Sequence, residues 1–317
     1  MNNVYLKYKF LGLIVFLFIC SFSVLFYVFY DFQKQKLNNA KREQVAKIEN
    51  FFHKTIEKNL KNYSYELSSK ILDNPDIILA LKEQNKNKLE QLTIEKYSIL
   101  LTKDQYITQM NFFSKDGTNL LRLQKLDLSG DNILQSRPML KKVFDTKETF
   151  FGFEKGLTGL SYRVILPLFD EKNDFVGAFE IGISVRKIMY SITFFNNIQG
   201  VFYETNLDKF ITSDSSINPK FLEYLKKFEY EKANKDIIFD NKHLTLQFFN
   251  TTSLDGQNLG NFIFFHDLTQ YYTDFESTLK KLFLISLTTI LAIYLIILYI
   301  FNSTFAHKTE LFFSVNS

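Results

Sequence analysis

Two uncharged runs constrain this chain more than anything else in it. Phe10 to Tyr30 covers 21 positions without a charged side chain, and Leu282 to Phe301 covers 20. A bilayer core about 30 Å thick needs about 20 apolar residues at about 1.5 Å each, so both runs are long enough to span it. A buried helix in a soluble protein seldom lacks charge on every face over such a length. The first run also exceeds the roughly 7–15 residues of a signal-peptide core. Asp31, Phe32, Gln33 and Lys34 follow it and offer no small-residue cleavage site, so it reads as an uncleaved signal anchor.

Two spans place both ends of the chain on one side. Lys7 and Lys9 before the first run, and His307 and Lys308 after the second, favour cytoplasmic ends. Lys34, Lys36, Lys41, Arg42, Lys280 and Lys281 flank the outer side, so orientation rests on the signal-anchor reading, because long domains translocate largely regardless of charge. The 251 residues between the runs suffice for one long domain or two modules with cores of their own. The single cysteine, Cys20, lies within the first run. An exported domain without cysteine fits a bacterial periplasm and excludes thiolate metal sites and cysteine nucleophiles there. A net charge of +4 over 317 residues gives no case for a nucleic-acid partner.

Val45, Ile48, Phe52, Ile56, Leu60, Tyr63, Leu67 and Ile71 recur at spacings of three and four, which predicts one long helix continuing the first span and broken at Pro75. The stripe can pack on its own domain, face a second copy in a parallel dimer, or do both. A second helical stretch is expected over about 76–101. Strands are expected at Ile107 to Phe113 and Asn119 to Gln124 about a Lys115-Asp116-Gly117 turn, a helix over Pro138 to Thr146, and strands at Tyr162 to Phe169 and Phe175 to Val185. A connector helix around Arg186 to Phe195 leads to a smaller unit. Its expected strands are Gly200 to Tyr203, His243 to Asn250 and Asn261 to His266, with a helix at Pro219 to Phe228. A polar helix over Thr269 to Lys281 enters the second span. Antiparallel strands with segregated helices make the class α+β.

Seven of the 11 glycines lie between Gly117 and Gly182, and three of the five arginines, Arg122, Arg137 and Arg163, share that region. In a chain that otherwise favours lysine, a guanidinium marks a place where a planar fork is wanted, as in two-point binding of a carboxylate. The segment Phe151 to Arg163 combines Gly152, Gly156 and Gly159 with Glu154, Tyr162 and Arg163. Two readings of it are open: a polar cavity wall, or a glycine-shaped loop in which Glu154 and an arginine only fix the fold. Arg122, Asp131, Arg137, Glu154, Tyr162 and Arg163 are the candidate ligand-binding residues. Arginine-led recognition would select a carboxylate, which is favoured; recognition led by Glu154 and the aromatics would select an amine.

Leu121-Arg122-Leu123, Gly130-Asp131, Arg137, Gly152-Phe153-Glu154, Gly159, Arg163, Pro167, Gly177, Glu180 and Gly182 together resemble the double Cache sensor domain of bacterial transmembrane receptors. The similarity is to the variety with a G-F-E-x-G-x-x-G-x-x-x-R-x-x-x-P run before a G-x-x-E-x-G strand, and it is densest over about 103–186. The resemblance implies a long N-terminal helix carrying two PAS-like antiparallel-sheet modules, with small-molecule binding in the membrane-distal one. It also implies a cytoplasmic output of chemotaxis, histidine-kinase (two-component) or diguanylate-cyclase type. Only 16 residues follow Phe301, so the expectation is a shortened receptor or a sensor that signals through a cytoplasmic or membrane partner.

The expected layout is a cytoplasmic N-terminus (1–9), a span (10–30), a helical stalk and helical region (31–102), a membrane-distal module (103–190), a membrane-proximal module with exit helix (191–281), a second span (282–301) and a short cytoplasmic tail (302–317). The expected protein is a homodimeric, two-span inner-membrane sensor, with the bilayer and a small polar molecule as partners. The alternative is a membrane-anchored adaptor whose outer domain binds another protein. His53, His243, His266 and His307 show no metal-ligand spacing, and the chain has no phosphate-binding glycine motif and no nucleophile elbow. The expectation is therefore no enzyme, no metal and no cofactor; His266-Asp267 is the one pair that suggests catalysis.

Overall fold

The computed structural model describes residues 2–156, 159–228 and 234–314. Leu157 and Thr158 of the glycine-rich segment, residues 315–317 of the expected tail, and the side chains of Lys7, His307 and Lys308 lie outside the described residues. The chain divides into two units: one holds residues up to Gln44 and from Leu268 onward, the other Val45–Asp267.

The first unit is helical. Helix α1 (Asn2–Lys54) supplies its N-terminal part and α8 (Thr269–Ser314) the rest. Two helical stretches, Gly12–Ile71 and Thr269–Ile300, contain windows long and apolar enough to cross a membrane, and neither window is buried against protein. The rings of Tyr30 and Phe275 meet at 5.8 Å between these helices.

In the second unit the end of α1 passes through a π-helical turn (Thr55–Asn59) into α2 (Leu60–Ile71). The predicted helix is thus interrupted locally, with the Leu60 amide reaching back to the Thr55 carbonyl. Most of the apolar stripe packs inside the unit: Ile48, Phe52, Leu60, Leu67 and Ile71 are buried. The stretch expected as one helix over 76–101 is two, α3 (Pro75–Lys82) and α4 (Lys86–Lys103), because Gln84 takes φ +53° and Asn85 caps the Lys88 amide.

Strands β1 (Ile107–Ser114) and β2 (Asn119–Arg122), helix α5 (Pro138–Thr146), and strands β3 (Phe150–Gly156), β4 (Gly159–Phe169) and β5 (Phe175–Ser184) build an antiparallel sheet ordered β2-β1-β5-β4-β3. The segment expected as a loop before Arg163 is instead β3 and the start of β4, a hairpin in register from Phe150 opposite Ile165 to Gly156 opposite Gly159. Helix α6 (Val185–Asn196) leads to β6 (Gln199–Glu204), β7 (Lys209–Thr212), α7 (Pro219–Leu225), β8 (Lys235–Phe239), β9 (Lys242–Thr252) and β10 (Asn258–Asp267). The second sheet runs β7-β6-β10-β9-β8, the same antiparallel order as the first. Strands β7 and β8 are short and largely half-exposed, which is why hydrophobic alternation did not mark them.

One core joins the helices to a face of each sheet. Phe52 of α1 stacks on Phe249 of β9 at 4.2 Å and meets Phe262 of β10 at 5.5 Å. Asp104, at the end of α4, accepts from Tyr63 of α2, from Lys187 of α6 at 2.9 Å and from the Tyr106 amide at 2.8 Å. Burial alone would raise its carboxyl, but these partners hold it below the ordinary range. On the second sheet, His266 shares a 2.9 Å hydrogen bond with Gln247 Oε1, and Gln247 Nε2 donates to the Val45 carbonyl of α1 at 3.0 Å. Gln247 thus ties sheet to helix, and His266 holds its amide in place.

Burial, with a smaller effect from Lys47, pushes His266 down from 6.5 to about 4. The unfolded chain therefore takes up a proton before the folded one does, and stability falls as pH drops from 6.5 toward 4. Relative to about pH 7.5, the folded chain should lose about 2 kcal/mol at about pH 5 through this group. Denaturant unfolding at both pH values should show a correspondingly smaller loss in His266→Gln. Equal losses in the two proteins would contradict the assignment.

Candidate functional site

The first sheet buries a carboxylate at its centre. β5 is the middle strand, and Glu180 lies on it opposite Asn111 of β1 and Ile165 of β4, with no solvent exposure. Alternation along β5 sends Phe179, Ile181 and Ile183 into the shared core, and Ala178 and Glu180 to the face covered by α5. Such a charge survives burial only if fully partnered. Glu180 Oε1 accepts from Gln109, from Asn111 Nδ2 at 2.9 Å and from Arg163 Nη1 at 2.7 Å, and Oε2 accepts from Arg137 Nη2 at 2.5 Å. Burial would raise this carboxyl, but Arg137 and Arg163 outweigh it and hold it below the ordinary glutamate range.

The network extends through Glu154 of β3. Its Oε2 receives Arg137 Nε at 2.5 Å and its Oε1 the Met139 amide of α5 at 2.9 Å. Arg163 Nε donates to the Glu154 carbonyl at 3.1 Å. Two guanidiniums therefore face two carboxylates, and the charges balance. Burial draws the Arg163 guanidinium down to about 10, against the pull of Glu180, while for Arg137 the two carboxylates outweigh burial and raise it. Both stay cationic at neutral pH. Two glycines make the room. A Cβ on Gly156 would overlap Arg163 Nη2, and one on Gly182 would come within 2.6 Å of Gln109 Cγ.

Tyr162, the neighbour of Arg163 on β4, points to the opposite face. It is buried, its ring meets Phe153 edge-on at 5.5 Å, and its hydroxyl donates to the Ile56 carbonyl in the π-helical turn at 3.1 Å. Arg122, at the end of β2, holds Asp131 by two bonds of 2.7 Å and the Leu128 carbonyl by one of 2.8 Å. Its guanidinium keeps Asp131 below the ordinary carboxyl range.

The structure thus brings Arg137, Glu154 and Arg163 into one network around Glu180, sets Arg122 with Asp131 beside it, and places Tyr162 on the other side of the sheet. A cavity of about 70 Å³ lies against this layer, lined by Gln109, Asn111, Arg122, Gln124 and Arg137, with Lys125, Leu128 and Ile133 from the loop after β2. Sequence reasoning passed over Gln109, Asn111 and Gln124. The available signal was the alternation of polar Gln109 and Asn111 with apolar Met110 and Phe112 on one strand, which marks a polar inward face.

A larger groove of about 470 Å³ lies on the second sheet, over Ile217, Phe221, Phe239 and Phe265, with Asp214, Asp240, Lys242 and Asp267 at its rim. Here the corresponding face is apolar: Ile263 and Phe265 of β10 pack with Phe221 and Leu225 of α7. Among the described residues the buried charged network lies on the first sheet, while the α7 face of the second is mainly apolar, with Asn261 of β10 buried in it. His266 and Asp267 do not form a functional pair, since the ring is engaged with Gln247 and Asp267 meets Lys242 at 3.3 Å. Among the described residues no group of three or more His, Cys, Asp or Glu side chains could hold a metal ion.

Replacing Glu180 by Gln leaves two buried guanidiniums with one carboxylate between them. Breaking a buried pair in this way costs about 3–5 kcal/mol. Denaturant unfolding of Glu180→Gln should show a loss of that size; a loss below about 1 kcal/mol, typical of an exposed pair, would contradict the network described.

Residues 38–272 match the dCache_3 family, described as the double sensory domain of two-component sensor kinase. No curated protein sequence gives a significant match. Among solved structures, the periplasmic domain of Vibrio cholerae LuxQ is similar at a TM-score of 0.47 and 11% identity, over 70% of this chain and 99% of that one. The sensor domain of the V. cholerae histidine kinase DctB matches at 0.44 and 12% identity, over 74% and 98%. The sensory domain of the Campylobacter jejuni chemoreceptor Tlp3 with isoleucine bound matches at 0.42 and 12% identity, over 76% and 98%. With the family match running through both sheets and the helices before them, the chain belongs to the dCache_3 family of double sensory domains.

Proposed function

We propose that this chain is the ligand-sensing part of a bacterial transmembrane receptor, that its first sheet binds a small polar molecule, and that a carboxylate is the group recognised. The observation that carries the reading is the cavity against Gln109, Asn111, Arg122 and Arg137. Convergent polar side chains on an otherwise apolar scaffold are what a small-molecule site requires. Arginine supports the carboxylate preference, because Arg122 already meets a carboxylate fork-on in Asp131. Family membership supports sensing over catalysis.

The reading extends to placement. The two apolar helices serve as inner-membrane spans, with the sheets in the periplasm. Residues 103–190 form the membrane-distal module and 191–281 the membrane-proximal module with its exit helix. The output route is α8, which begins two residues after β10 ends. A shift of about 1–2 Å along such a helix is a known switching mode. A homodimer and a cytoplasmic or membrane signalling partner complete the proposal.

Thermal melting of the full chain in detergent, screened against organic acids, amino acids and amines, tests it. A compound at about 100 times its dissociation constant stabilises by about 2.7 kcal/mol. The expected hits carry a carboxylate and lose their effect in Arg122→Gln. Hits confined to amines would overturn the carboxylate preference, and hits indifferent to Arg122→Gln would move the site to the groove of the second sheet. Silence across the panel would favour the adaptor reading.

A further inference from the structure

The three arginines of the first module differ in what holds them. Arg137 and Arg163 are locked to Glu154 and Glu180, side chains at most 7% exposed and fixed on strands. Arg122 is itself 6% exposed at the side chain, but its partner Asp131 is 46% exposed and sits on the loop after β2. The same loop supplies Leu128, whose carbonyl takes another Arg122 bond at 2.8 Å and whose side chain lines the cavity. Lys86 of α4 pins it from the far side, at the Leu126 carbonyl and Ser129 Oγ, each at 2.9 Å.

The cavity beneath is about 70 Å³, against about 300–1,000 Å³ for ordinary small-molecule sites. A ligand of amino-acid size enters only if this loop moves. Besides Lys86 and two backbone bonds with Asn119, from the Gly130 amide at 2.8 Å and to the Asp131 carbonyl at 2.9 Å, the loop is held over the cavity by a carboxylate on Arg122, the cavity guanidinium whose partner is exposed. An incoming carboxylate can take over both 2.7 Å bonds with no change in the charge at Arg122, and the released Asp131 is already half in water.

We propose that Asp131 is a built-in competitor for the carboxylate subsite at Arg122. Ligand binding exchanges one carboxylate for another and releases the Asp131 side chain, loosening the loop from 126 to 131 at Arg122. The exchange sets both specificity and threshold: only a ligand whose other contacts outweigh the tethered Asp131 displaces it, so simple monocarboxylates do not trigger the sensor. The inference rests on the sensing function proposed above.

Acetate is the probe. In Asp131→Ala the full chain in detergent should melt below the wild type, and sodium acetate at constant ionic strength should restore at least half of that loss. Wild type should not respond, nor should Asp131→Ala combined with Arg122→Gln. Asp131→Asn keeps side-chain polarity and serves if the alanine variant does not fold. For any carboxylate compound that raises the wild-type melting temperature, it should bind about tenfold more tightly, the equivalent of about 1.4 kcal/mol. No acetate response in Asp131→Ala, or an equal response in wild type or in the double variant, overturns the proposal. A wild-type panel hit without acetate rescue overturns the competition and leaves the sensor standing. Acetate rescue with a silent panel leaves the blocked subsite standing and overturns the sensor.

Discussion

The buried carboxylate of Glu180 imposes the order on which the first module depends. A charge at the centre of a sheet, without solvent, obliges the chain to supply donors from every neighbouring element. β1 gives Gln109 and Asn111, β4 gives Arg163, and the entry to α5 gives Arg137. Each arginine then needs a further acceptor, which brings in Glu154 from β3 and fixes the α5 amide of Met139. Gly156 and Gly182 follow from the same demand, since side chains there would collide with Arg163 and Gln109. The polar wall of the cavity is thus the outer edge of a network whose centre is one residue.

The two sheets differ in this network. They share strand order and a covering helix, yet the second sheet fills the corresponding face with Ile263, Phe265, Phe221 and Leu225. An apolar filling is the cheaper way to stabilise this architecture, because buried ion pairs rarely outperform hydrophobic residues of similar volume. The charged layer of the first module, against the mainly apolar face of its twin, is what the sensing proposal rests on. β4 also presents both sides of that module: Arg163 faces the network while Tyr162, one residue earlier, bonds the Ile56 carbonyl in the π-helical turn. One strand thus touches both the network and the helix that continues α1.

Much of this was legible in the sequence because its causes are local. The uncharged runs, the three-and-four stripe from Val45 to Ile71, and the α5 boundaries at Pro138 and Thr146 follow from hydropathy and proline chemistry. Arg137 and Arg163 stood out by residue type against a lysine-rich background and Glu154 by its place in the glycine-rich segment, but their meeting at Glu180 depends on the register of three strands, which no local pattern states. Strand β3 escapes a local reading because Gly152 and Gly156 weaken strand propensity; at Gly156 the reason is tertiary, the room that Arg163 needs. β7 and β8 escaped notice because short, half-exposed strands carry little alternation. The break between α3 and α4 turns on exposed Gln84 adopting a positive φ while the Asn85 amide closes on the Ala80 carbonyl at 2.8 Å, which hydropathy does not reveal.

Amide hydrogen exchange of the full chain in detergent tests the central claim, that the polar layer of the first sheet is the sensing site. It should be followed with and without a compound that raises the melting temperature. The account predicts slower exchange in β1, β2, β3 and β4, altered exchange in the loop from 123 to 133, and a change in the π-helical turn at Thr55–Asn59. It predicts no change across β6 to β10. Protection confined to the second sheet and its groove, with the first sheet unaffected, would contradict it.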